Sequence, residues 1–408
     1  MFSNKDLRKL IIPLVIEQLL AVTIGMADTV MVSSCGEAAV SGISLVDSIN
    51  FLLITLFSSL ATGGAVIASQ YIGRGDHKSA SLAAKQLFYA SLALSAVLGI
   101  IAVFFRKPVL NMVFGSIEAD VMAHAQIYFL LSAISYPFLA VYNAGAALFR
   151  SMGDSRTTML ISILMNTINI VGNAILIYGF QMAAAGAATA SIVSRAVGAI
   201  IITVLLLNPH RIIFYDKLHK PEIHLSMLKS ILQIGVPNGL ENSIFQIGKI
   251  LVASIVSGFG TISITANAVA GNLASLQVIP GMALGMAMIT VVGQCIGAKD
   301  YEAVKKYTKK LMLITYGVVW AMTLLMLLFS KQILSFYSLS EETTTMTMEV
   351  FIVHGICAVI VWPLAFALPN ALRAANDVRF TMIVSLLSMW IFRIGFSYIL
   401  AIYFNMGI

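Results

Sequence analysis

Long apolar segments separated by short polar ones dominate the chain. A helix needs about 20 mostly apolar residues to cross the hydrocarbon core of a membrane, and segments of this kind recur along the whole sequence. They predict an all-α polytopic membrane protein. Eleven spans are expected, at residues 9–33, 45–72, 82–104, 121–149, 158–179, 185–207, 228–257, 264–296, 307–329, 346–372 and 380–404.

The overall composition supports this fold class. Hydrophobic residues make up 59% of the 408 residues and charged residues only 11%, whereas soluble globular domains hold about 45–50% and about 25%. These values exclude a soluble enzyme, a disordered regulator and a nucleic-acid-binding domain. The three cysteines show no metal-ligand spacing, so neither a metal site nor a disulfide framework is expected.

Lysine and arginine residues fall mainly on one side of the predicted spans. Of the 25, 19 lie at the N-terminus and in the even-numbered gaps, three lie in the odd-numbered gaps and three lie inside spans. Because cytoplasmic loops carry the excess of basic residues, we expect a plasma (inner) membrane protein whose N-terminus is cytoplasmic. The longest polar segment, residues 208–227, is then a basic cytoplasmic linker.

Polar and charged residues recur along the chain at nearly constant spacing. Charged residues are rare in this sequence, so their recurrence carries more weight than matches between apolar residues. A shift of 224 residues, or of 223 for the later pairs, superposes the two sets. The pairs are Pro13 with Pro237, Glu17 with Glu241, Gln70 with Gln294, Asp76 with Asp300, Lys85 with Lys309, Arg150 with Arg373, Asp154 with Asp377 and Arg156 with Arg379.

The repeat predicts two lobes, residues 1–207 and 228–408, joined by the linker. The first lobe has six spans, an even number, so both lobes start on the same side and form a parallel pseudo-two-fold repeat. Two such bundles facing each other can rock to open a cleft to either side, which indicates a transporter. The second lobe has five spans, so a twelfth helix is missing, and a truncated sequence is favoured over a native eleven-helix protein.

One acid and a row of amides form the candidate coupling site. Asp28 lies deep in the first span, where an ionisable group usually faces a cavity or a partner and where desolvation favours the protonated carboxyl group. Asn166, Asn169 and Asn173 recur at three and four residues in span five, which places them on one helix face. Ser191 in span six adds a hydroxyl group. A cation or proton site is therefore predicted here.

A second group of polar residues is predicted for the other lobe. Glu241 lies four residues after Pro237, and Gln246 and Lys249 follow on neighbouring turns, so the three share roughly one broad helix face. With Met286 in span eight, they are candidates to line a substrate cleft, because methionine adapts to varied apolar ligands. For Glu241, capping of backbone amides near the proline is equally open.

Other ionisable residues inside spans are given ordinary structural interpretations. Arg195 and Arg393 are expected to extend toward the membrane surface or to contact backbone carbonyl groups. Asp47 is expected to be hydrated near the outer face, and His354 to be a satisfied core histidine. No nucleotide-binding glycine loop and no catalytic motif occurs, so no enzyme activity and no cofactor is expected, and uphill transport would use an ion gradient.

Several of these segments together resemble the multidrug and toxic compound extrusion (MATE) family. They are IPLVIEQLLAVTIGMADTVMVS in span one, the QYIGRGD and QCIGAKD pair, LFRSMGDSRTTM with LRAANDVRFTM, NIVGNAILIYGF in span five and GAATASIVSRAV in span six. The resemblance covers essentially the whole chain. It implies a twelve-helix, two-lobe antiporter that exports cationic, amphipathic drugs and toxins in exchange for protons or sodium.

Residue by residue, the resemblance implies a site in the first lobe. Asp28 matches the family's first-helix aspartate, implicated in proton and cation binding, and Asn169 matches an asparagine of the same site. Pro13 matches the proline at which that helix bends. Asn173 stands where many members carry a second aspartate, and Ser191 replaces a threonine. A single carboxylate weakens the case for tight sodium binding and makes Asp28 the main titrating group.

The second lobe departs from the family more strongly. Some members place a glutamate eight residues after the seventh-helix proline, where this chain has Phe245. Their tenth-helix aspartate would fall near Trp362. The resemblance therefore leaves the coupling role of Glu241 open.

The sequence distinguishes three candidate functions. The preferred hypothesis is a monomeric exporter of small amphipathic, cationic drugs that is coupled to H⁺ or Na⁺. A lipid-linked oligosaccharide flippase of a related fold is the alternative, but such proteins have a cation-lined cavity, whereas intramembrane acids and bases roughly balance here. A membrane-embedded enzyme would need clustered acids for a metal, or a His–Asp pair, and the sequence offers neither.

Overall fold

The computed structural model describes residues 2–115, 118–335, 337 and 339–404. Within these residues, eleven helices are long and apolar enough to cross a membrane, which confirms the eleven predicted spans. They are α1 Asn4–Ser33, α2 Glu37–Gly73, α3 His77–Phe114, α4 Ala119–Ser151, α5 Ser155–Gly179, α6 Ala183–Leu206, α7 Leu225–Ser257, α8 Thr261–Gly297, α9 Tyr301–Leu328, α10 Glu341–Ala374 and α11 Val378–Ala401. A short helix, Ser330–Ser335, lies between α9 and α10.

The repeated charged motifs form the turns between consecutive helices. In each turn a residue with positive φ ends one helix and an aspartate follows it as the N-cap of the next, so the helices extend past the apolar segments. The capping carboxylate accepts a backbone N–H at 2.9–3.1 Å in three of the turns. The residue pairs are Gly75 with Asp76, Gly153 with Asp154, Lys299 with Asp300 and Asn376 with Asp377.

The chain divides into two compact units, Phe2–Gly239 and Leu240–Ile408. The division falls inside α7, two residues after Pro237. The sequence-based lobes at 1–207 and 228–408, with a linker at 208–227, stay a prediction.

Helix α4 is central to the first unit, where it packs against α2, α3 and α6. A buried cluster that includes Phe57, Phe129 and Tyr136 fills the space between α2, α3 and α4. Helix α1 packs against α5 and α5 against α6. This arrangement brings the faces of α1, α5 and α6 that carry the predicted coupling residues together. Helix α1 runs without interruption through Pro13.

The segment between α6 and α7 is attached to the first unit. Gln86 on α3 donates from Nε2 to the Glu222 carbonyl at 2.6 Å, and its Oε1 accepts the His224 N–H at 3.0 Å. Tyr215 is buried against Phe88, with 5.3 Å between the ring centroids. The beginning of α7 then passes so close to Gly63 that a Cβ added there would lie 2.5 Å from a backbone oxygen.

In the second unit, α8 is the most buried of the spans and packs against α9 and α10. Its core contains Val269, Leu273, Met326 and Phe351.

Three segments inside the spans have the wider turns of a π-helix. They are Ala174–Gly179 in α5, Pro363–Ala367 in α10 and Ser388–Phe396 in α11. Such segments in α-helices frequently mark functional positions. The first of them begins directly after Asn173, one of the predicted site residues.

Candidate functional site

Asp28 forms a short hydrogen bond with the predicted amide face of α5. Asn173 Nδ2 donates to Asp28 Oδ1 at 2.6 Å, and the Asn173 side chain is fully buried. Its Oδ1 atom is buried and has no hydrogen-bond partner in the described part of the chain. Buried polar atoms are nearly always paired, so Asn173 Oδ1 is an acceptor available to a hydrogen-bond donor such as a protonated Asp28.

The hydrogen bonds continue from Asn173 to α6. Asn173 Nδ2 also approaches Asn169 Oδ1 at 3.4 Å, and Asn169 Nδ2 donates to Ser191 Oγ at 3.1 Å. The structure thus joins the four residues predicted for the coupling site in one hydrogen-bond network. They are Asp28, Asn169, Asn173 and Ser191. Asn166 is half-buried and approaches Ser162 Oγ at 3.5 Å instead.

A second polar network lies between α2 and α4. Asp47 Oδ1 accepts hydrogen bonds from Tyr128 OH at 3.0 Å and from Asn50 Nδ2 at 3.2 Å. Asn50 Oδ1 accepts from the buried Tyr136 OH at 2.8 Å, and Asn50 Nδ2 also reaches Ser132 Oγ at 3.3 Å. Asp47 is exposed, in keeping with the expectation of a hydrated acid, but it is also held by protein side chains that this expectation did not include.

Arg195 on α6 lies near both networks. Its Nη1 donates to Ser135 Oγ at 2.6 Å, and its charge acts on both Asp28 and Asp47. The sequence predicts extension toward the membrane surface or contact with a backbone carbonyl group for Arg195, whereas the described partner is a side-chain hydroxyl group. Two acids and one arginine give this polar region a net charge of −1 when both acids are ionised.

The sequence contained signals for these additional residues. Asp47 and Asn50 are three residues apart and so share a helix face. Tyr128, Ser132 and Tyr136 recur at intervals of four in α4. That spacing marks a polar stripe inside an apolar helix, but the partner of the stripe depends on how the helices pack.

In the second unit, Glu241 is part of a buried ion pair. Its Oε1 accepts from Arg373 Nη2 at 2.8 Å and from Ser385 Oγ at 2.7 Å, with the two charged side chains only 10–11% exposed. The contact joins α7, α10 and α11. Glu241 Oε2 and Arg373 Nε are buried without a hydrogen-bond partner among the described residues. Glu241 therefore contacts Arg373 and Ser385 and not the other predicted cleft residues.

The repeat-related glutamate of the first unit has a comparable contact. Thr158 Oγ1 on α5 donates to Glu17 Oε2 at 2.8 Å, and both side chains are buried. Each half of the repeat therefore ties its first helix to its fifth through a glutamate four residues after a proline.

Lys249 contacts the ring of Phe245, the residue that stands where some members of the family have a glutamate. Its Nζ lies 5.5 Å from the centroid of the Phe245 ring, and the Arg393 guanidinium carbon lies 5.4 Å from the same centroid. Phe366 packs edge-on against Phe245 at 5.6 Å. Arg393 is thus at an aromatic face and not at a backbone carbonyl group. Gln246 and Met286 are half-buried on α7 and α8.

The fold and these contacts define an all-α polytopic membrane protein with a sequence repeat and a buried ionisable network. The MatE family model matches residues 13–175 and again residues 237–399, so the chain belongs to the MatE family. The two matches are displaced by 224 residues, which confirms the internal repeat.

Known proteins similar over nearly the full chain agree with this assignment. The uncharacterized transporter YisQ of Bacillus subtilis (strain 168) is 28% identical over 97% of this chain and 87% of its own. The probable multidrug resistance protein NorM of Thermotoga maritima is 25% identical over 99% and 87%. A crystal structure of MATE in the bent conformation has a TM-score of 0.90 at 20% identity and covers 98% of this chain and 88% of its own.

Proposed function

We propose that the protein is a secondary multidrug efflux antiporter of the plasma membrane. It exports small cationic, amphipathic compounds by alternating access in exchange for protons, with sodium as the second candidate ion. Family membership and the multidrug resistance name of similar proteins support export. The proposal includes a cytoplasmic N-terminus, a single subunit, contact with membrane lipids, and neither a cofactor nor an enzymatic reaction.

The hydrogen bond between Asp28 Oδ1 and Asn173 Nδ2 carries the proposal. In the structure the Asn173 amide donates and the Asp28 carboxylate accepts, an arrangement that suits the ionised acid. When Asp28 takes up a proton, its O–H can donate to Asn173 Oδ1 after the amide rotates, and that oxygen is otherwise unpaired among the described residues. The site can therefore hold either protonation state with its hydrogen bonds made.

Coupling follows from the charge that each state presents. The ionised Asp28 attracts a cationic compound, whereas the protonated acid is neutral and does not. The attraction is strong at this site because charges interact more strongly away from water. Proton uptake from the outside then favours release of the compound, and proton loss to the cytoplasm favours binding of the next one. The charges of Arg195 and Asp47 both act on Asp28. They therefore influence how strongly the ionised Asp28 attracts a cation.

Dye transport into inside-out membrane vesicles tests this function. We expect vesicles with the protein to accumulate ethidium when an acid-inside proton gradient is imposed, and Asp28→Asn to abolish accumulation at equal protein level. Asp120→Asn is a matched control, because Asp120 is an exposed acid in the first turn of α4. Full transport by Asp28→Asn would refute the proposal. Accumulation driven by a sodium gradient alone would show that sodium, and not the proton, is the coupling ion.

A further inference from the structure

Two basic side chains of the second unit share one aromatic ring inside the membrane spans. Lys249 on α7 and Arg393 on α11 each lie within 5.5 Å of the Phe245 ring centroid, which is the range of a cation–π contact. Each basic residue lies eight residues before the last residue of its helix, about 12 Å along the axis at 1.5 Å per residue. Both charges are therefore well inside their spans.

No acid of the described chain neutralises this pair. Neither basic group is within salt-bridge distance of a carboxylate in the part of the chain that the structure describes, and Glu241 is taken by Arg373. The two positive charges act on each other, and Arg393 also acts on His354, whose Nε2 is buried without a described partner. Unpaired charges inside a membrane are costly, so this cluster favours an anionic partner.

The surroundings of the pair are aromatic and accessible. Phe366 packs edge-on against Phe245, and Trp362 stacks on Phe366 with 5.4 Å between ring centroids and 22° between ring planes. Lys249, Arg393 and Phe366 are exposed within the second unit. Phe366 and Arg393 both lie in π-helical segments, and such segments frequently mark functional positions.

The repeat relates this cluster to the acidic site of the first unit. At the 224-residue displacement, Lys249 corresponds to Gly25, one turn before Asp28, and Arg393 corresponds within one residue to Asn169. The basic pair of the second half therefore corresponds to the neighbourhood of an acid, Asp28, in the first half.

We infer that Lys249 and Arg393, with the ring of Phe245, form a subsite for the anionic group of an aromatic compound, such as the carboxylate of a zwitterionic drug. A lipid phosphate has the same charge, but it lies at the membrane surface, about 12 Å from this depth, so the exported compound is the favoured source. The inference rests on the proposed export function, since it describes part of the cargo.

Two dyes that differ by one ester test the inference. Rhodamine 110 carries a free carboxylate, and rhodamine 123 is its methyl ester, so both share the same cationic ring system. Fluorescence polarisation of the purified full chain in a neutral detergent gives both affinities without any ion gradient. We expect Lys249→Gln with Arg393→Gln to weaken rhodamine 110 binding by at least about tenfold, the loss typical of a charge-assisted contact, and to change rhodamine 123 binding by less than about twofold.

A matched variant removes two other positive charges. Lys306→Gln with Arg379→Gln changes exposed residues of α9 and α11, and it should leave both affinities unchanged. Lys249→Gln alone, with the same dyes, tests the subsite if the double variant is not recovered folded. Equal losses for the two dyes, or no loss for either, would overturn the inference. Displacement of rhodamine 110 by phosphatidylglycerol at equal concentration would assign the cluster to a lipid and would also overturn it.

The binding experiment separates the two proposals. If vesicles fail to transport either dye under any gradient while the carboxylate-dependent difference persists, the export function fails and the anion subsite stands. If transport of rhodamine 123 depends on Asp28 while the difference is absent, the reverse holds.

Discussion

The buried pair of Glu241 and Arg373 gives a quantitative test of how the second unit is held together. Glu241→Gln keeps the shape of the side chain but leaves the Arg373 guanidinium uncompensated at 11% exposure. Breaking a buried ion pair by removing one partner costs about 3–5 kcal/mol. For a domain of 150–250 residues, 1 kcal/mol shifts the melting temperature by about 2–4 °C. The variant should therefore melt about 6–20 °C below the parent.

Removal of both charges should recover most of this loss. Arg373→Met in the Glu241→Gln background leaves no unpaired charge, and replacement of a complete buried pair by neutral groups is often nearly neutral. The two single variants and the double variant form a double-mutant cycle. Their interaction energy should be clearly favourable, which means that the double variant is more stable than the sum of the single losses predicts.

Thermal unfolding in detergent provides the measurement. The fraction of monodisperse protein that remains after heating is followed by size-exclusion chromatography for each variant. Glu302→Gln serves as the control, because its ion pair with Lys305 is 75–87% exposed and exposed pairs contribute little. A shift of Glu241→Gln no larger than that of the control, or strictly additive losses in the cycle, would refute the structural role of the pair.

Three further changes test the turns, the close helix contact and the docked segment. Lys299→Gly should stabilise the protein by about 0.5–1 kcal/mol, because relief of left-handed strain of about 1–2 kcal/mol exceeds the entropy cost of glycine, and a lowered melting temperature would contradict this. Gly63→Ala should sharply reduce the yield of folded protein, since the added Cβ would lie 2.5 Å from a backbone oxygen. Gly317→Ala is the control and should not reduce the yield, because there is open space around Gly317. Equal yields of the two variants would contradict the close packing at Gly63. Gln86→Ala should release the segment before α7, so that trypsin cleaves after the exposed Lys217 faster than in the parent, and an unchanged cleavage rate would show that the two Gln86 hydrogen bonds do not hold the segment.

The sequence was sufficient for the fold and for much of the first site. Span length fixes the helices, because a membrane tolerates little else, and the doubled aspartates mark the turns. The spacing of three and four residues placed Asn169 and Asn173 on one polar face of span five, and the resemblance to the MATE family placed Asp28 at the same site.

Partners across helices could not be read from the sequence in the same way. For Arg195 the sequence predicts extension toward the membrane surface or a contact with a carbonyl group, and in the structure it contacts Ser135 Oγ. Phe245 was noted only as a departure, and it lies beneath two basic groups. In each case the outcome depends on the rotation of one helix against another, and the π-helical segments change that rotation without a clear sequence mark.

The wide turns of Ser388–Phe396 have a consequence for how the two halves of the repeat differ. Thr158 and Thr381 are 223 residues apart, yet the family matches end at residues 175 and 399, which are 224 apart. One inserted residue between these points accounts for the difference, and the π-helical segment lies there. An insertion of one residue turns every following side chain by about 100° around the helix axis. The one extra residue is therefore enough to turn Arg393 to a different face of its helix from the equivalent position in the first half.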